Sequence, residues 1–206
     1  MKFFFAEQAM LRDGWDDNVT IDIDDEGYIA AVRTGQKPGG AEHAGGPVIP
    51  GMANVHSHAF QRAMAGLAEH MSSPEDSFWT WREVMYSLLQ RLDPDQVCAI
   101  AAQLYGEMLS NGYTSVGEFH YLHHGPGGRP YARSTEMALA LLRAAAQTGI
   151  AITLLPSLYA YSGFGDAPLR GTQTRFATTP ESLLGMLRDL RGSCAEIGRA
   201  SCRERV

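Results

Sequence analysis

One stretch, residues 47–61, constrains the fold more than any other, and its centre is His56-Ser57-His58. Pro50-Gly51 makes a turn ahead of it. The apolar residues Val48, Ile49, Met52 and Val55 read as a buried strand entering a core. Side chains alternate faces along an extended strand, so residues i and i+2 point the same way. Two imidazoles then lie within chelating reach of a single ion. Imidazole suits zinc, iron, copper or nickel, and catalytic zinc sites pair His ligands with a further protein ligand and a water. The pair ends its strand at the C-terminal side, where parallel α/β barrels keep their active sites. The plain alternative is two partly buried polar residues on a strand.

The remaining pattern is that of an α/β chain. Residues 2–9 and 18–34 carry strand patterning, with Val19, Ile21 and Ile23 alternating with Thr20 and Asp22. Asp24-Asp25-Glu26-Gly27 reads as a hairpin turn, and residues 35–46 as a loop. After His58 the pattern is helical to about Glu69 and breaks over residues 71–75. Asp76 or Ser77 can cap a helix reaching Leu92. Asp93, Pro94 and Gln96 open another as N-cap, first-turn proline and capping-box partner, and Asn111-Gly112 closes it. A strand over 114–119, a helix from Ser134 to Gln147, a strand over 150–155 and a helix from Thr179 to about Leu190 follow. Such alternation implies a parallel sheet with crossover helices. Three strands of that series are visible, whereas a closed eight-stranded barrel takes about 250 residues.

Three separated runs narrow the reading: residues 56–66, 76–83 (Asp-Ser-Phe-Trp-Thr-Trp-Arg-Glu) and 112–121 (Gly-Tyr-Thr-Ser-Val-Gly-Glu-Phe-His-Tyr). Together with the Pro-Gly turn and the His pair they resemble the formimidoylglutamate deiminases of the amidohydrolase superfamily, over residues 1 to about 190. The resemblance implies an α/β fold: the first three strands of a (β/α)8 barrel over residues 47–192, preceded by part of a small β-sandwich over residues 1–46. It implies one divalent ion, zinc, held by His56 and His58. The substrate would be N-formimidoyl-L-glutamate, hydrolysed to N-formyl-L-glutamate and ammonia in histidine breakdown. The enzyme would be cytoplasmic, and a homodimer at full length.

Water is a poor nucleophile at neutral pH, and bound zinc brings its pKa to about 7. A planar guanidinium matches a substrate carboxylate through paired hydrogen bonds. Arg82 is the candidate, its alternative being to cover apolar helix surface with its stem. Gln61 offers a donor and an acceptor to the substrate, or simply polarity at a helix start. The resemblance assigns Tyr121 to substrate contact. It places the remaining ligands and the proton-transfer groups beyond this sequence. His120, His123 and His124 lie close enough in sequence to complete a site locally, although loop histidines are more often hydrogen-bonded or solvated. Trp79 and Trp81 read as core or pocket wall, and the direction Glu118 faces stays open.

Composition excludes several partners. A net charge of −6 without a basic cluster argues against nucleic acid or an anionic membrane. No segment has the length of a membrane span. Three Cys without a Cys-x-x-Cys pair fit a reducing cytosol. Residues 196–206, Glu-Ile-Gly-Arg-Ala-Ser-Cys-Arg-Glu-Arg-Val, resemble one translated frame of a sequencing-library adapter, so residues 193–206 read as a non-native tail. The expectation is therefore an incomplete and inactive piece of a deiminase. The alternatives are a deaminase of the same superfamily acting on a purine or guanidino compound, or a non-catalytic fragment. Arg82 separates the first two, because a neutral heterocycle gives no reason for a carboxylate clamp.

Overall fold

The computed structural model describes residues 1–67, 77–197 and 200–202, by backbone alone from residue 194. The chain divides into two compact units, Met1–Gly51 and Met52–Val206.

In the first unit, β1 (Lys2–Leu11), β2 (Gly14–Ile23), β3 (Ile29–Arg33) and β4 (Glu42–His43) form one sheet in the order β3-β2-β1-β4. β1 and β2 are antiparallel, as are β2 and β3, while β4 runs parallel to β1. The expected turn before β3 is present: Asp24 Oδ1 accepts the Tyr28 N–H at 2.7 Å, and Gly27 takes the left-handed φ of 85° that the turn requires. β2 starts four residues earlier than its alternation suggests. Its first residues pair with β1 (Trp15 with Met10, Asp17 with Gln8), so a cross-strand ladder overrides weak local propensity. Ala6, Ala9 and Val19 form the small core, with Leu11, Ile21, Ala44 and Val48 packed against it.

The second unit is a parallel sheet with helices. β5 (Met52–Ser57) leads into a 3₁₀ turn over Ala59–Met64, shorter than the helix the sequence promises because Gly66 turns the chain at φ 79°. The expected helix end near Glu69, the break over 71–75 and the Asp76 cap lie outside the described residues. Ser77 caps α1 (Phe78–Leu89): its hydroxyl accepts the Trp79 N–H, and Thr80 Oγ1 returns the bond to the Ser77 N–H. Asp93 and Gln96 form the expected capping box of α2 (Pro94–Ser110). β6 (Tyr113–His120), α3 (Glu136–Thr148), β7 (Ala151–Pro156), α4 (Pro180–Ile197) and β8 (Ala200–Cys202) complete the series. Thr135 rather than Ser134 is the N-cap of α3, and Gly149, at φ 82°, ends it.

The sheet order is β5-β6-β7-β8, all parallel. The fourth strand exceeds the three the sequence shows. An open strand edge is a template for pairing, and the backbone of residues 200–202 takes up the free edge of β7. A second correction concerns β5. Its apolar residues are not buried: Val55 is 78% exposed and Met52 is also exposed, as is Ile49 ahead of the strand. Among the described residues β5 is an edge strand with β6 as its neighbour, so the apolar run that marks a strand did not imply a covered face. The core lies on the helical side. Val97, Ala101, Tyr105 and Met108 of α2 and Leu142 and Ala145 of α3 pack with Val116, Ile152 and Leu154 of the sheet. No helix among the described residues is long and apolar enough to cross a membrane.

Candidate functional site

β6 sorts the site by its two-residue period. Val116, Glu118 and His120 are buried on one face, which Val116 shares with the helical core. Gly117 and Phe119 belong to the other. That second face carries the His pair. The Phe119 ring centre lies 5.5 Å from that of His56 and 5.9 Å from that of His58. The two Nε2 atoms of His56 and His58 are 3.2 Å apart, with the rings edge to face. His58 Nδ1 is 3.1 Å from the Phe119 carbonyl oxygen. A carbonyl only accepts, so Nδ1 carries the proton and Nε2 presents its lone pair. Burial pushes the His58 pKa down, against the raising effect of the Phe119 carbonyl, and the neighbouring His56 adds to the lowering. The neutral imidazole is therefore favoured.

Glu118 faces the helices, which resolves the direction the sequence left open. It is 2% exposed. Its Oε1 accepts the Ala59 backbone N–H at 2.6 Å. Oε2 has no hydrogen bond of ordinary geometry, and neither do the nearby Ser57 and Tyr105 hydroxyls. Burial raises the Glu118 pKa to about 7, against the lowering influence of Ser57, the Ala59 N–H and Tyr105.

In front of His58 is a cavity of about 490 Å³. Four of the sequence candidates meet around it: His58, Gln61, Arg82 and Tyr121. Gln61 Nε2 donates to the Tyr121 hydroxyl at 3.0 Å, and the Tyr121 ring sits edge-on to His58 at 5.1 Å. Burial lifts the Tyr121 pKa to about 12, so the hydroxyl stays protonated. Arg82 is half-buried; its Nε–H donates to the Tyr86 hydroxyl, and its guanidinium carbon is 5.1 Å from the centre of the Tyr86 ring. Trp81 lines the cavity as expected. Trp79 does not: it is exposed on α1, with the Arg82 guanidinium 5.6 Å over its ring. Sequence reasoning missed Tyr86, Tyr159 and Phe176 as walls. Tyr86 stands one helical turn from Arg82, a spacing that could have flagged it.

The loop histidines stay apart from the pair. His123 Nε2 bonds to the Ser157 carbonyl at 3.1 Å and His124 Nε2 to the Ala177 carbonyl at 2.8 Å. His120 is buried against His123, their ring centres 4.9 Å apart. Among the described residues, no three or more His, Cys, Asp or Glu gather as a metal site.

Comparison with known proteins follows this geometry. Residues 48–190 match the amidohydrolase family, and residues 1–46 match the N-terminal domain of formimidoylglutamate deiminase HutF. Over 200 residues the chain is 50% identical to formimidoylglutamate deiminase of Pseudomonas aeruginosa, covering 97% of this chain and 44% of that protein. An amidohydrolase from Brucella melitensis matches with a TM-score of 0.91 and 44% identity, over 99% of this chain and 45% of that one. Atrazine chlorohydrolase TrzN from Arthrobacter aurescens, solved in complex with zinc, shares the fold at a TM-score of 0.69 and 17% identity, over 99% of this chain and 46% of its own. The chain thus spans less than half the length of these relatives.

Proposed function

The chain belongs to the amidohydrolase family, and we propose that it forms the metal-holding and substrate-reading part of a formimidoylglutamate deiminase. In that reaction water adds to the imino carbon of N-formimidoyl-L-glutamate, the C–NH2 bond so formed breaks, and ammonia leaves a formyl C=O behind. The observation that carries this reading is a cavity lined by both His58 and Arg82. A nitrogen ligand for a metal and a cation for a carboxylate face the same space, as a substrate with a reactive head and an acidic tail requires. The 50% identity to the Pseudomonas deiminase supports the choice of substrate.

His56 and His58 fit a zinc ion. Two nitrogens bound at 2.0–2.1 Å to a tetrahedral zinc stand about 3.3 Å apart, close to the 3.2 Å between these Nε2 atoms. Such an ion, when bound, lowers the pKa of water to about 7 and supplies a nucleophile at neutral pH. The chain's own groups bind and orient. The Phe119 carbonyl fixes the His58 tautomer. Arg82 pairs with a carboxylate of the glutamate moiety. Tyr121, held by Gln61, offers its hydroxyl to the substrate beside His58. The aromatic walls Trp81, Tyr86 and Phe176 exclude water from the cavity. The proposal extends to a cytoplasmic homodimer acting in histidine breakdown, with residues 1–46 in a β-sandwich domain and 47–192 in the catalytic barrel.

The test is a chimaera in which residues 1–190 replace the matching part of the Pseudomonas enzyme. Ammonia release from N-formimidoyl-L-glutamate, with none from guanine or 8-oxoguanine, supports the reading. A folded, zinc-loaded chimaera that ignores this substrate, or prefers a purine, overturns it.

A further inference from the structure

Glu118 does not line the cavity, yet it is among the most deeply buried charged side chains of the described residues. It lies on the helix-facing side of β6, whereas the imidazoles meet Phe119 on the opposite side. Glu118 pairs in register with Ser57, the last residue of β5. From there its carboxylate reaches past the strand end to the Ala59 N–H at 2.6 Å. The next residue of β6, Phe119, holds His58 Nδ1 through its carbonyl at 3.1 Å. Two consecutive residues of β6 therefore grip residues 58 and 59, one by backbone and one by side chain. The need for the second grip is local. β5 ends at Ser57, and His58 has φ −134° and ψ 81°, between the end of the strand and the 3₁₀ turn.

We infer that Glu118 is a positioning residue for the His pair: by binding the Ala59 N–H from behind the sheet, it sets the backbone angle at which His58 presents Nε2 toward His56. This rests on the reading of His56 and His58 as metal ligands. A group acting behind a ligand in this way typically changes metal affinity by 10- to 100-fold when removed. An amide can replace it, since the Gln carbonyl accepts the Ala59 N–H and its NH2 can donate to the neighbouring Ser57 and Tyr105 hydroxyls.

The experiment uses the 206-residue protein with two readouts: the tautomer of His58 by nitrogen-15 ring spectra without metal, and Zn²⁺ affinity by competition with a chelating indicator. Glu118→Gln is expected to keep the Nδ1–H tautomer and an affinity within about threefold of the parent, the net worth of one ordinary hydrogen bond. Glu118→Leu is expected to lose the fixed tautomer and to weaken Zn²⁺ binding by roughly 10- to 100-fold. Should the buried Leu prevent folding, Glu118→Ala decides instead, since it removes the acceptor of the Ala59 N–H and adds no bulk. A folded Glu118→Leu or Glu118→Ala protein with the parent tautomer and affinity overturns the inference. His58→Ala serves as the separate control. If it binds Zn²⁺ as the parent does, the assignment of the His pair as ligands fails, while the tautomer readout still judges Glu118.

Discussion

The Nε–H of Arg82 donates to the hydroxyl of Tyr86 one helical turn further along α1. The Tyr159 hydroxyl engages the same side chain, so two hydroxyls set the plane in which the guanidinium fork meets a carboxylate. Lysine cannot reproduce that fork. In the chimaera, Arg82→Lys is expected to raise KM for N-formimidoyl-L-glutamate by roughly 10- to 100-fold, with kcat changing less, as for a charge-assisted pair worth 1.5–3 kcal/mol. Tyr86→Phe keeps the ring under the cation but frees Nε, and should raise KM by roughly 2- to 10-fold. Steady-state ammonia release measures both.

Metal binding should separate the His pair from the loop histidines. Replacing either His56 or His58 by Ala should lower Zn²⁺ affinity by at least about tenfold. Replacing His124 should leave it unchanged, because that ring is already engaged by the Ala177 carbonyl. Elemental analysis after dialysis against a fixed zinc concentration reads the difference. Equal losses from His58 and His124 would contradict the assignment.

Two kinds of buried group, imidazole and carboxyl, give stability opposing slopes with pH. Burial lowers the His123 pKa from 6.5 to about 4, so the unfolded chain binds the proton more readily. Its contribution is full above pH 6.5 and is lost as pH falls toward 4, on the order of 3 kcal/mol in all. His120 is shifted in the same direction by the same cause. Burial raises Glu118 to about 7 from 4.5, so its contribution is full below pH 4.5 and is lost as pH rises through 7. With two histidines against one carboxyl, stability should fall on acidification from pH 7 to 4.5. Glu118→Gln should steepen that fall and His123→Asn should flatten it. Urea midpoints across the window provide the measure.

Arg175 is fully buried and ties separate segments together. Its Nε donates to the His124 carbonyl and an Nη to the Leu92 carbonyl, both at 2.8 Å, while its own carbonyl accepts the N–H groups of His123 and His124. Arg175→Ala should cost on the order of 3 kcal/mol, since two buried carbonyls lose their donors and a cavity opens. Hydrogen exchange at the His123 and His124 amides should accelerate in the variant, which a denaturation midpoint alone would not reveal.

The parts legible in the sequence were those decided by neighbours along the chain. Asp93, Pro94 and Gln96 specify a helix start within four residues, and the structure has that capping box. The conspicuous spacing of His56 and His58 put two rings together because two residues of extended backbone suffice for it. What depended on other strands was not legible. The direction of Glu118 follows from the register of β6 against Ser57, and the exposure of Val55 follows from β5 having one neighbour. Tyr159 and Phe176 reach the cavity from a connection without periodicity, so nothing local announces them. Ser134 and Thr135 offer equivalent hydroxyls one residue apart, and the actual N-cap makes no side-chain bond that would have distinguished it.

The imidazoles hang from the end of β5, while the opposite walls of the cavity come from α1 and from the connections that follow β6 and β7. The grip and the wall are thus encoded in separate stretches of chain. On the proposed function, a lineage can exchange an acidic substrate for a neutral ring by rewriting α1 and two loops, leaving the strand with its histidines untouched. Descent should then record chemistry and diet at different rates: slow change at His56 and His58, and rapid turnover around Arg82 and Tyr159.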